Sequence, residues 1–113
     1  MAHDGWVGVL SMEVHLPCTA SLKDKRSEVR RIKAGLARRW GVSIAEVGYH
    51  DKWQRAALAL ALVSRDIAGA ESALSAARDW LDGDPEVEVL NATSWVAPAS
   101  GEDGLAAVEG AVG

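Results

Sequence analysis

The chain has 113 residues, 49% of them hydrophobic and 25% charged, with a formal net charge of -4. That length is one domain, and the apolar share is enough to bury a core. The acidic balance argues against nucleic-acid binding over the whole surface, and the one cysteine, Cys18, excludes an internal disulfide framework and a CxxC metal or redox site.

Residues 6–16 predict a first strand. Trp6, Leu10, Met12, Val14 and Leu16 share a face with Gly8, while Val7, Val9, Ser11, Glu13 and His15 point the other way. With no basic n-region and with Asp4 and Glu13 inside it, the N-terminal stretch reads as a strand and not as a signal peptide. Pro17 ends it, and residues 17–20 form the turn.

Residues 21–40, SLKDKRSEVRRIKAGLARRW, predict the first helix. Ser21 is the expected N-cap, with Asp24 three residues on as a variant capping box. Leu22, Val29, Ile32, Leu36 and Trp40 fall in one stripe on the helical wheel, and Gly41 supplies the C-cap. The helix holds eight of the twelve basic residues against two acids, Asp24 and Glu28; the rest of the chain holds four basic and fourteen acidic residues. Lys25 lies within the apolar arc and must snorkel or meet an acid.

Residues 42–49 predict a second strand and residues 50–53 a polar connection. Residues 54–64 predict a third strand, with Leu58, Leu60 and Leu62 on one face and Arg55, Ala57, Ala59, Ala61 and Val63 on the other. The apolar run 56–63 is too short to span a bilayer, so a soluble cytoplasmic protein is expected. Ile67, Ala70, Leu74, Ala77 and Leu81 recur at helical steps and give a second helix, ended by Gly83 and Pro85. Residues 86–95 predict a fourth strand with Val87 and Val89 inward. Residues 96–113, rich in Gly and Ala with three acids and no basic residue, are expected to be a disordered or frayed tail outside a domain of residues 1–95.

The order βαββαβ is that of the ferredoxin-like plait: an α+β fold with a four-stranded antiparallel sheet, strand order 4-1-3-2, and two helices on one face. This topology gathers Glu13, His15, Ser21, Lys25, Glu46, His50, Asp51, Gln54 and Arg55 at one pole, with Lys23, Arg26 and Tyr49 beside them. The other pole, assigned residues 64–66 and 84–86, is poorer in such groups. Several readings of the polar pole stay open. It is an ion-pair network, an anion site at the start of the first helix, a metal site built on His15 and His50, or a catalytic centre, although no ligand pair has a recognised metal spacing and no base is specified for Cys18. The apolar sheet face of Val7, Val9, Ala57, Ala59, Ala61 and Val63 calls for a cover, whether the tail, a second copy in a homodimer, or a partner. The basic outer arc of the first helix is a solvated face, a phosphate contact or a dock for an acidic protein.

Fold alone does not give function. The open face lacks the aromatic residues that an RRM stacks on strands one and three, no GxxG joins helices as in a KH module, and the turn 17–20 lacks the arginine of an acylphosphatase loop. A dimeric small-ligand or anion-binding regulatory domain stays possible.

The stretches Trp6-Val7-Gly8-Val9-Leu10, His15-Leu16-Pro17, Ser21-Leu22-Lys23-Asp24-Lys25-Arg26 and Ala45-Glu46-Val47-Gly48, with Asp51, Trp53, Gln54 and Arg55, resemble the bacterial YlxP-like family over about residues 5–95. The resemblance implies a small ferredoxin-like domain of unknown function. Its gene neighbourhood, beside a translation initiation factor and a ribosome-binding factor, implies a link to ribosome assembly or translation. It supplies no catalytic residue, and Cys18 and the tail lie outside the pattern. The expectation is a non-enzymatic accessory protein that needs no cofactor or metal. It would meet ribosomal RNA or a ribosomal particle through Lys23, Arg26, Arg30, Arg31, Arg38 and Arg39.

Overall fold

The computed structural model describes residues 5–101. Six elements follow in the expected order: β1 (Trp6–His15), α1 (Leu22–Trp40), β2 (Ser43–Gly48), β3 (Arg55–Ser64), α2 (Ile67–Asp82) and β4 (Glu88–Pro98). All strand pairs are antiparallel and the sheet order is β2-β3-β1-β4. This is the βαββαβ plait that the sequence pattern predicts.

The alternation of β1 and β3 sets the two faces. Leu10, Met12 and Val14 of β1 and Ala56, Leu58, Leu60 and Leu62 of β3 are buried beneath the helices. Val29, Ile32 and Leu36 of α1 and Ala70, Leu74, Ala77 and Leu81 of α2 close on them. Each fully buried Leu or Ile contributes about 2 kcal/mol by removal from water. Gly35 lets the helices approach: a Cβ there would lie 2.5 Å from Cη2 of Trp80. Trp80 in turn meets Trp40 edge-on at 6.3 Å between ring centroids. Gly41 ends α1 in the left-handed region at φ 62°, its N–H bonded to the Ala37 carbonyl.

Two bulges shape the edge strands. In β4 the register passes from Val14 opposite Val89 to Glu13 opposite Asn91, which leaves Leu90 without a partner. In β2 it passes from Glu46 opposite Leu58 to Gly48 opposite Ala57, which leaves Val47 without one. An unpaired residue reverses the phase of side chains beyond it. Val87 and Val89 point inward as expected, but past Leu90 the inward positions become Ala92, Ser94 and Val96. Trp95 therefore stands opposite Val9 on the open face, 49% exposed.

The expected domain end at residue 95 is corrected. Val96, Ala97 and Pro98 continue β4 opposite Gly8, Val7 and Trp6, and the Ala99 N–H donates to the Gly5 carbonyl at 2.8 Å. Pro98 at the end of this edge strand forfeits no ladder bond. The remainder of the expected tail, residues 102–113, lies outside the described residues.

Candidate functional site: the polar pole and the outer face of α1

The first turn of α1 begins at the pole. Ser21 Oγ accepts from the Asp24 N–H at 3.1 Å, and Asp24 Oδ2 accepts from the Ala20 N–H at 3.1 Å. This is a variant of the capping box: Asp stands in place of Glu and reaches the N–H of Ala20, one residue before the N-cap. The Asp24 carboxylate thus occupies the helix end where an anion would sit, and Ser21 is spent on the cap.

Lys25 is 1% exposed, the most buried charged residue among those described. Its Nζ lies 2.8 Å from Glu46 Oε2 and donates to the carbonyls of Tyr49 at 2.5 Å and His50 at 3.5 Å. Glu46 points toward the helices because it sits opposite Leu58, one residue before the β2 bulge. The contact with Oε2 is a charge pairing without hydrogen-bond alignment, and this oxygen has no other partner. Tyr49 adopts φ 61°, a left-handed conformation unfavourable for a bulky residue. Lys25 holds its carbonyl in place.

The rest of the hairpin connection is tied down as well. Gln54 Nε2 donates to the carbonyls of Pro17 at 3.4 Å and Thr19 at 3.1 Å. Thr19 Oγ1 lies 2.8 Å from the Leu16 carbonyl and 2.6 Å from that of Trp53. The Leu16 N–H donates to the Gln54 carbonyl at 2.8 Å. Gln54 therefore stitches the β1–α1 turn to the start of β3. His50 stays exposed with Nε2 3.3 Å from the Glu46 carbonyl, and Asp51 is exposed in the turn.

The sheet divides the predicted cluster in two. Lys25 and Glu46 lie on the helix side. Glu13, His15 and Arg55 lie on the open side, where Arg55 is the strand partner of His15 and Glu13 is opposite Ala57. Arg55 Cζ sits 5.5 Å from the centroid of the Tyr49 ring, a cation–π contact. His15 Nδ1 is 3.4 Å from Glu88. A depression of about 370 Å³ opens here, lined by His15, Tyr49, Lys52, Trp53, Gln54 and Arg55.

Residues 84–86 lie at the polar pole and not at the opposite one that the sequence pattern predicts. α2 runs antiparallel to α1 and β4 starts opposite His15, so the α2–β4 connection returns to the polar pole. There it captures Arg31, whose Nη1 lies 2.8 Å from Asp84 while Nη2 lies 2.8 Å from Glu28 and 3.7 Å from Glu86. Hydrogen bonds to Glu28 and then Asp84 hold Arg31 above its usual value. Burial pushes the Asp84 carboxyl up, but the bond from Arg31, the Glu86 N–H and the Arg31 charge outweigh it and hold Asp84 below the usual carboxylate range.

The eight cations of α1 thus sort by task. Lys25 is internal, Arg31 is bound by carboxylates, and Arg39 Cζ lies 5.1 Å over the Trp80 ring. Lys23, Arg26, Arg30, Lys33 and Arg38 have no carboxylate within ion-pair distance among the described residues, and all but the half-buried Lys33 are exposed. Lys33 was left out of the expected contact set. Its place beside the Lys23–Arg26–Arg30 ridge follows from helical spacing alone, since 30 and 33 are neighbours on the surface.

The structure thus presents a ferredoxin-like α+β domain with a pinned polar pole and a basic helical face. The chain belongs to the family described as a protein of unknown function, DUF503, which it matches over residues 7–94. It is 33% identical over 90 residues to the "Uncharacterized protein YlxP" of Bacillus subtilis (strain 168), covering 79% of this chain and 98% of that protein. A putative antibiotic biosynthesis monooxygenase from Nitrosomonas europaea shares 11% identity at a TM-score of 0.42, over 88% of this chain and 93% of that one. A similarity of that size says nothing about activity. Among the described residues no helix is long and apolar enough to cross a membrane, and no three of His, Cys, Asp and Glu come together to hold a metal ion.

Proposed function

We propose that the protein is a non-enzymatic RNA-binding accessory factor that contacts phosphates through the outer face of α1. The setting is the ribosome assembly or translation that the family resemblance implies. The observation that carries this reading is the sorting of the α1 cations. Among the described residues, Lys23, Arg26, Arg30, Lys33 and Arg38 are left without carboxylate partners on one face of a protein whose net charge is -4. From Lys23 to Arg38 this face runs about 22 Å, the span of several backbone phosphates. A solvated helix normally mixes its charges in ion pairs. The pole favours binding over catalysis, because Ser21, Lys25, Glu46 and Gln54 are spent on structure.

Phosphate contacts position a protein without reading sequence and release counterions. Five contacts to a single strand give a slope of log affinity on log salt of about -3.5. Anisotropy of labelled RNA over a salt series measures it, and Arg30→Glu with Arg38→Glu lowers both affinity and slope. No binding at low salt, or binding indifferent to that double variant, refutes the reading.

The open sheet face supports a second proposal, a homodimer. Val63 is 75% exposed and Trp95 49%, on a face whose centre is otherwise of Val, Ala and Ser. Sedimentation velocity of the wild type beside Val63→Glu tests it, and a monomer at all concentrations refutes it.

A further inference from the structure

We propose that the depression at the β2–β3 connection holds one unpaired nucleotide of a single-stranded RNA, its base stacked on Trp53 and its phosphate beside Arg55 and Lys52. This inference rests on the RNA reading above and adds to it a second contact of a different kind.

Three observations carry it. First, the connection offers two aromatic rings to solvent: Trp53 is 49% exposed and Tyr49 38%. Neither ring belongs to the buried core or to the partly buried residues packed against it. Second, the cations beside them are not held by carboxylates. Arg55 touches the Tyr49 ring and neither Arg55 nor Lys52 has a carboxylate within ion-pair distance among the described residues. The Glu88 carboxylate lies 3.4 Å from His15 Nδ1, and Asp51 is exposed in the turn. Third, the backbone under the rings is fixed. The Trp53 carbonyl accepts from Thr19, the Gln54 carbonyl from Leu16, and the Tyr49 carbonyl from buried Lys25 while Tyr49 sits at φ 61°. Unfavourable backbone held by its surroundings concentrates at binding sites. Rings presented from a rigid backbone bind with little ordering cost.

The chemistry selects the ligand. A π-face beside a guanidinium and an ammonium matches a base linked to a phosphate, which is how single strands are bound without sequence preference. The volume of about 370 Å³ falls in the range of ligand pockets and takes one base with its sugar. A duplex keeps its bases stacked on one another and offers none to Trp53. The site lies at the pole where the proposed phosphate track begins, across the sheet from it. Lys25 ties the first turn of α1 to the Tyr49 and His50 carbonyls, so Lys23 and Arg26 border the same pole.

The test compares a twelve-nucleotide single-stranded RNA with a twelve-base-pair RNA duplex, on the full chain. Trp53→Ala is expected to weaken single-strand binding about tenfold, the loss of one stacked base. Trp53→Phe restores most of it, and duplex binding through α1 stays unchanged in both. Unfolding midpoints of both variants near wild type confirm that the carbonyl contact to Thr19 persists. Wild-type affinity for the single strand in Trp53→Ala overturns the inference, as does an equal loss for strand and duplex. The two readings fail separately. If Arg30→Glu with Arg38→Glu has no effect while Trp53→Ala does, the helix contact falls and the pocket stands. The reverse pattern removes the pocket alone. If the wild type binds neither RNA, both are overturned.

Discussion

Lys25→Met keeps the apolar stem of a residue that is 1% exposed and removes its charge and its donors. Glu46, whose side chain is 19% exposed, then keeps a negative charge with its cation gone, and the Tyr49 carbonyl loses its 2.5 Å donor. Breaking a buried ion pair costs about 3–5 kcal/mol. Water reaches one side of Glu46, which places the cost at the low end, about 3 kcal/mol, out of the roughly 5–15 kcal/mol that a domain holds. Replacing both partners, Lys25→Met with Glu46→Leu, removes the stranded charge and leaves the Tyr49 and His50 carbonyls without this donor, about 1–2 kcal/mol. The coupling between the two sites is therefore at least about 1 kcal/mol, and larger by whatever Glu46→Leu costs alone. Urea denaturation of the wild type, both single variants and the double variant closes the cycle. A loss under about 1 kcal/mol for Lys25→Met, or single costs that simply add, would refute the claim that this pair locks the first turn of α1 to the β2–β3 connection.

Gly35→Ala raises helix propensity by about 1 kcal/mol but drives a Cβ to 2.5 Å from the Trp80 ring, which is also held by Trp40 and Arg39. Overpacking costs about 1–3 kcal/mol, so a lower melting temperature is expected, and an unchanged or higher one contradicts the described contact. The Arg31–Asp84 pair gives a sign to acid stability. Because the folded Asp84 carboxyl lies below its unfolded value near 4, its stabilisation is present above about pH 4 and is lost as pH falls through the folded value. The stability gap between wild type and Asp84→Asn, read from denaturation midpoints between pH 6 and 3, should narrow toward acid; a gap that is constant or widens shows that Arg31 does not hold this carboxylate.

The local pattern of the sequence determined the elements, their order and the core. Period-two alternation in β1 and β3 and the 3- and 4-residue spacing in both helices each select one face, and the strand and helix lengths admit few arrangements. The Ser21 and Gly41 caps were legible for the same reason, since both act within four residues of the helix they close. Lys25 could be flagged from its place in the apolar arc, but its partner could not, because Glu46 faces the helices only through its register opposite Leu58. The two bulges, at Val47 and Leu90, arise from pairing between distant strands and leave no local signature. One of them turned Trp95 to the open face, against the simple alternation. The return of residues 84–86 to the polar pole followed from the direction of α2, and it withdrew Arg31 from the basic face. Charge on α1 was visible in the sequence; which of its cations meet carboxylates among the described residues was decided by tertiary contacts, because an ion pair depends on which side chains fold to within a few ångström of each other.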